Sequence, residues 1–183
     1  MLRESDVLKL VCTRLEEADI PYMLTGSFAA NFYAVPRMTR DIDVILEVQL
    51  SDVNKLYNTF RHDFYLSKDD IIQSVEHESM FNIIHNESVI KIDFIVRKKA
   101  AYREIEFQRR RRMPFHDTHI WIVSPEDLII SKLFWAKDSL SNTQIQDVRN
   151  ILSSTQNLDR GYIQEWVGKL ELQSIYKMAN CHE

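Results

Sequence analysis

Apolar residues recur along this chain with two different periods, and the switching between them is the first guide to its architecture. Leu8, Val11, Leu15 and Ala18 lie three and four apart, the spacing of one helix face, and predict an amphipathic helix that closes near Ile20-Pro21. A short apolar run from Tyr22 to Thr25 predicts a strand. Gly26-Ser27 then opens a second helix reaching about Ala34, and Pro36 prevents its continuation. The β-branched segment Asp41 to Val48 predicts another strand, its start interrupted by two acids. From Leu50 to Asp63, with Ser51 as cap, the stripe Val53, Leu56, Tyr57 and Phe60 predicts a helix. Met80 to Ile84 and Val89 to Val96 predict antiparallel strands joined by His85-Asn86-Glu87-Ser88.

The second half reads differently. A polar, cationic helix is predicted over Lys99 to Arg112, followed by a short strand, His119 to Val123. Ser124-Pro125-Glu126-Asp127 combines a capping serine, a proline in the first turn and acids near the positive helix end, a strong helix start. Three or four helices account for the remainder. The expected fold is therefore α/β (α+β), a short mixed sheet flanked by helices with a C-terminal helical lobe. We expect residues 1–98 to form the core. Residues 99–183 should be a mainly helical lobe, with one strand at about 119–123, packed on that core.

Composition narrows the functional classes. With 183 residues, 45% of them apolar, the chain can bury one sizeable core. Three glycines and four prolines leave little room for irregular structure. A net charge of −4 is the wrong sign for a general nucleic-acid binder, so any RNA contact must come from a local patch. Cys12 and Cys181 lie at opposite ends without metal-ligand spacing and read as reduced thiols. No run approaches the roughly 20 apolar residues that span a bilayer, so a soluble, cytoplasmic protein with no membrane partner is expected.

The chemistry resides in three acids. Asp41 and Asp43, one residue apart on a strand, leave the same face about 6.6 Å apart and can serve one metal cluster. Asp93 lies in mid-strand among apolar neighbours, where an ionised carboxylate is expensive without a metal or ion partner. Hard oxygen ligands of this kind suit Mg²⁺. Lys91 shares Asp93's face and could meet phosphate or balance charge. Thr25-Gly26-Ser27 stands where a strand gives way to a helix, a place where backbone N–H groups point at an anion; Gly26 allows close approach and Ser27 can hydrogen-bond a phosphate oxygen. Lys132 follows Ile129 and precedes Leu133 and Ala136 on a helical stripe, so it either snorkels or meets an anion. Asp147 could orient Lys132 or an acceptor hydroxyl.

Gly26-Ser27, then Pro36-Arg37-Met38-Thr39-Arg40-Asp41-Ile42-Asp43, then Lys91-Ile92-Asp93 resembles the signature of the nucleotidyltransferase superfamily, which has the DNA polymerase beta-like fold. The likeness is nearest to small bacterial members related to abortive-infection toxins. It continues through Ser124-Pro125-Glu126-Asp127-Leu128-Ile129, Lys132-Leu133 and Asp147, spanning Tyr22 to Leu152, with Ala34 standing where the pattern has glycine. The resemblance implies Mg²⁺ or Mn²⁺ at Asp41, Asp43 and Asp93, and a nucleoside triphosphate held at Gly26 and Ser27 with Arg40 and Lys91 nearby. It adds Lys132 and Asp147 to the catalytic set. The implied reaction moves a nucleoside monophosphate to an acceptor hydroxyl on an RNA end, a protein or a small molecule, and a toxin–antitoxin pairing with a partner protein follows from the same likeness. The rivals are a noncatalytic nucleotide-binding module and an antibiotic adenylyltransferase.

Other features have ordinary readings. Arg109 to Arg112 on a helix would point in several directions and reads as a solvated helix end, with contact to RNA or phosphate as the alternative. Asp69, Asp70, Glu76 and Glu78 read as a solvated loop. Trp121, Trp135, Trp166 and Phe134 are expected in the core between sheet and lobe. The six histidines show no metal-ligand spacing.

Overall fold

The computed structural model describes residues 2–39 and 41–180; Arg40 and Cys181, on which expectations fall, lie outside them. The elements in order are α1 (Glu4–Glu17), β1 (Tyr22–Thr25), α2 (Gly26–Ala30), β2 (Ile42–Leu46), α3 (Val53–Phe60), β3 (Phe64–Tyr65), α4 (Lys68–Glu76), β4 (Met80–His85) and β5 (Lys91–Val96). They continue with α5 (Ala101–Gln108), β6 (Arg111–Phe115), β7 (Thr118–Ile122), α6 (Pro125–Ser139), α7 (Asn142–Ser154), α8 (Arg160–Lys169) and α9 (Gln173–Asn180). The strands form one seven-stranded sheet in the order β3-β4-β5-β2-β1-β7-β6. It is mixed: β2 runs parallel to β5 and β1 to β7, whereas β1–β2, β3–β4, β4–β5 and β6–β7 are antiparallel.

Alternation along the central strands sorts their side chains into two faces. Ile42, Val44 and Leu46 of β2 and Ile92 and Phe94 of β5 are fully buried. Phe94 lies 5.6 Å from the Phe60 ring of α3 and 5.5 Å from Phe81 of β4. Each such side chain contributes about 1.5–3 kcal/mol by leaving water. The intervening positions, Asp43 and Ile45 on β2 and Lys91, Asp93 and Ile95 on β5, share the opposite face.

Helix α6 joins the sheet to the last three helices. Ser124 caps it, accepting from the Asp127 amide at 3.1 Å, and Pro125 opens its first turn. Every residue from Pro125 to Leu133 is buried, so α6 is enclosed nearly all round, more deeply than its amphipathic pattern implied.

Several expectations need correction. The cationic helix ends at Gln108, and Arg111–Phe115 is an edge strand paired with β7. An edge strand tolerates both the arginines and Pro114, which need not donate to a ladder. Helix α2 stops at Ala30, because the Asn31 side-chain amide ties the following turn to Arg37, its Nδ2 donating to the Arg37 carbonyl and its Oδ1 accepting from the Arg37 amide, each at 3.0 Å. Gln49, not Ser51, begins the third helical segment, through a 3₁₀ turn at Leu50–Asp52. The last of the predicted hairpin strands starts at Lys91, since Val89 takes a left-handed φ of 58°. Two further elements lie beyond the sequence expectations: the two-residue β3, and α4, which Ser67 caps and which takes Asp69, Asp70 and Glu76 out of the expected solvated loop.

Candidate active site

The strand register decides which acids meet. Asp43 of β2 is the direct partner of Asp93 on parallel β5, and of Thr25 on antiparallel β1. The two carboxylates therefore stand side by side on the open face. Asp41 precedes β2 and is exposed at the rim, where its charge still bears on Asp43. Among the described residues, no three His, Cys, Asp or Glu side chains are gathered into a ready metal-binding cluster.

Asp93 is only 6% exposed. Its Oδ2 accepts from Lys91 Nζ at 2.8 Å, while its Oδ1 is buried without a hydrogen-bond partner. A buried, half-satisfied carboxylate is costly. Beside it, burial and then the charges of Asp93 and Asp41 lift the Asp43 carboxyl to about 6, against the opposing pull of Lys132 and Lys91. The pair thus offers an excess of negative oxygen to a cation, a donor set that suits a hard divalent metal.

Gly26 adjoins this pair for a steric reason. Its φ is +68°, and a Cβ built on it would lie 2.0 Å from Asp43 Oδ2. Only glycine permits both the turn and the approach of the carboxylate. Ser27 follows, half-buried, its Oγ accepting from Arg37 Nη2 at 2.6 Å. With that bond made, the Ser27 hydroxyl still has its own hydrogen to donate.

A second network ties this turn to the helices. The Arg37 guanidinium grips Asp147 of α7 through Nε and Nη2 at 2.8 and 2.9 Å. Lys132 of α6 reaches the same carboxylate at 2.7 Å and Gln144 at 2.9 Å. Lys132 is 3% exposed, so it does not snorkel. Burial lowers its ammonium pKa, partly offset by Asp147. Burial alone would raise the Asp147 carboxyl, but the hydrogen bonds and charges of Arg37 and Lys132 outweigh it and hold it below the ordinary range.

The structure thus brings Gly26, Asp43 and Asp93 into direct proximity, with Lys91 bound to Asp93. It links Ser27, Lys132 and Asp147 through Arg37. Sequence reasoning missed Arg37 and Gln144 as participants. Arg37 lay inside the recognised motif, but nothing local shows that its partner is a helix more than a hundred residues later. The arginine run finds partners within the chain. Arg109 pairs with Asp127 and Arg111 with Glu126, while Arg112 meets Glu16. Arg110 lies over the rings of Phe107 and Trp121. Trp135 and Phe134, expected in the core, are instead 65% and 44% exposed, because their side of α6 faces a cleft.

This mixed seven-stranded sheet with its C-terminal helices is the nucleotidyltransferase fold. Among solved structures, ANT(2″)-Ia in complex with adenylyl-2″-tobramycin superposes with a TM-score of 0.62 at 12% identity, covering 93% of this chain and 98% of that one. LnuA, a lincosamide antibiotic adenylyltransferase with lincomycin bound, gives 0.57 at 16%, covering 84% and 99%. An antigenic nucleotidyltransferase-like protein from Paracoccidioides brasiliensis gives 0.56 at 17%, covering 95% and 92%. At such identities the likeness establishes the fold. No protein-family model and no curated protein matches the sequence.

Proposed function

We propose that this chain is a metal-dependent nucleotidyltransferase that moves a nucleoside monophosphate from a nucleoside triphosphate to an acceptor hydroxyl. The observation that carries this reading is the registered Asp43–Asp93 pair, with one buried carboxylate oxygen unpartnered, set against a glycine that has no room for a Cβ. Asp43 and Asp93, with Asp41 at the rim, would hold Mg²⁺ or Mn²⁺. The ion would neutralise triphosphate charge and lower the acceptor hydroxyl's pKa.

The chain's own groups have separable tasks. The Gly26-Ser27 turn seats phosphate oxygens, with the Ser27 hydroxyl donating. Asp93 takes the hydroxyl proton as the acceptor oxygen attacks the α-phosphorus, and the bond to the bridging oxygen breaks, releasing pyrophosphate. Lys91 holds Asp93 in place through its hydrogen bond, which raises the lysine's own pKa. Lys132, committed to Asp147, acts through its field on Asp43 and braces the α6–α7 wall. Arg40 remains a candidate phosphate contact from the motif.

A small molecule is the favoured acceptor. Two of the structures sharing this fold are named for antibiotics, adenylyl-2″-tobramycin and lincomycin. In the arginine run, which leaned toward RNA, Arg109, Arg111 and Arg112 are paired with acids of the chain itself. A toxin–antitoxin role rests on the sequence resemblance alone. Incubation with labelled ATP or GTP, Mg²⁺ and cell extract should release pyrophosphate and label a small-molecule fraction. Replacing Asp41 and Asp43 together by alanine should abolish Mg²⁺-dependent nucleotide binding with folding intact. Wild-type nucleotide affinity in that double variant would refute the assignment, and saturable binding without pyrophosphate release would mark a noncatalytic module instead.

A further inference from the structure

On the open face of the sheet a cleft of about 530 Å³ lies next to the acidic pair. Its floor includes Ile45 and Ile95, two positions beyond Asp43 and Asp93 on the same strands and so about 6.6 Å further along. Thr25, the cross-strand partner of Asp43, forms its near end. The far wall is the face of α6 that carries Phe134 and Trp135. These exposed rings have a clear reason to be there if the cleft takes a ligand, since large apolar groups at a concave site are what binds an apolar body. The volume falls in the range of about 300–1,000 Å³ typical of small-molecule sites, too small for folded RNA or a protein surface.

Charge distinguishes among small molecules. The lining acids are Glu106 and Asp138. Glu106 is 0% exposed and is held by Arg103 and Ser131, so it has no free oxygen for a ligand. That leaves Asp138 against Arg97, Lys98 and Arg103. Arg97 is paired with Glu47, whereas Lys98 is exposed with no carboxylate partner among the described residues. With Arg103 bound to Glu106 and Arg97 to Glu47, a polycation would find a single free carboxylate, Asp138, with a free ammonium in the same lining, and a molecule with an apolar body and a single anionic group would find rings, an aliphatic floor and that ammonium.

We propose that this cleft is the acceptor site and that the acceptor is a small amphipathic hydroxyl compound, with an apolar or aromatic body and one anionic group, its hydroxyl directed toward Asp43 and Asp93. The inference rests on the nucleotidyltransferase reading for the transfer step, but the pocket chemistry can be measured alone. 8-Anilinonaphthalene-1-sulfonate, an aromatic body bearing one sulfonate, serves as the probe. It should bind the whole protein one to one, and Trp135→Ala and Lys98→Glu should each weaken it about tenfold while melting temperature stays at the wild-type value. Neither spermine nor adenosine should displace it.

Pyrophosphate release from MgATP should rise on adding hydroxylated aromatic or steroid acids and not aminoglycosides, and Trp135→Ala should abolish that rise. Equal probe binding in the variants, displacement by spermine or adenosine, or stimulation by aminoglycosides alone overturns the proposal. The Asp41 and Asp43 double alanine variant keeps probe binding while losing MgATP. A wild type that binds probe but not MgATP sinks the transferase reading and this acceptor assignment together; MgATP turnover with variant-insensitive probe sinks only the cleft.

Discussion

At Gly26 a single missing Cβ decides whether the site can form. The residue occupies φ +68°, and the space a side chain would need belongs to Asp43 Oδ2. Alanine here faces the left-handed penalty of about 1–2 kcal/mol and must push the carboxylate off its place beside Asp93. We expect Gly26→Ala to lose about that much stability in urea unfolding and to cut pyrophosphate release at least about a hundredfold, the scale on which a small misplacement of reacting groups is felt. A variant that melts lower but turns over normally would show that glycine serves the turn alone. Glycine before serine at a strand end was legible in the sequence; what it stands against was not, since the contact belongs to another strand.

Between elements, the Arg37–Asp147–Lys132 triad links the loop before β2 to α6 and α7. Asp147 and Lys132 have side chains only 4% exposed, so neither charge can turn to water if its partner goes. Removing one partner of a buried pair typically costs about 3–5 kcal/mol, and Asp147→Ala should lower the urea midpoint accordingly. Lys132→Met should cost less, because Asp147 keeps its two bonds from Arg37. The pH dependence has a definite sign. The Asp147 carboxyl is held below its unfolded value, so its contribution is complete above about pH 4, where a free aspartate is ionised. It is lost as pH falls through the lower folded value. Acid unfolding of the wild type should contain a step below about pH 4 that Asp147→Asn lacks.

For the whole molecule, the site sets stability against readiness to bind a cation. Asp41, Asp43 and Asp93 crowd like charges on one face, and one of the buried oxygens has no partner. Local rules broken in this way tend to mark functional ground. Without divalent ions, Asp43→Asn should therefore raise the melting temperature by about 2–4 °C, roughly 1 kcal/mol for a chain of this length. Millimolar Mg²⁺ should raise the wild type and leave the variant unmoved. Calorimetry with and without chelator tests both, and a variant that melts lower in chelator would mean that the crowding is already relieved within the fold. Among the described residues no helix is long and apolar enough to cross a membrane.

Local pattern by itself determined most elements and the acids' positions on them. Helical spacing, strand alternation and caps such as Ser124 act between near neighbours, and their signals survive in a linear string. It also placed Asp43 and Asp93 in strands, where ionised groups call for a partner. Tertiary structure alone decided that these two acids face each other, because parallel pairing joins distant segments and a one-residue slip would turn either away. It likewise paired Arg109, Arg111 and Arg112 with Asp127, Glu126 and Glu16, brought Arg37 to Asp147, and left Trp135 beside a cleft. Each of those outcomes depends on which surfaces meet, a quantity set by packing between remote parts of the chain and carried by no residue alone.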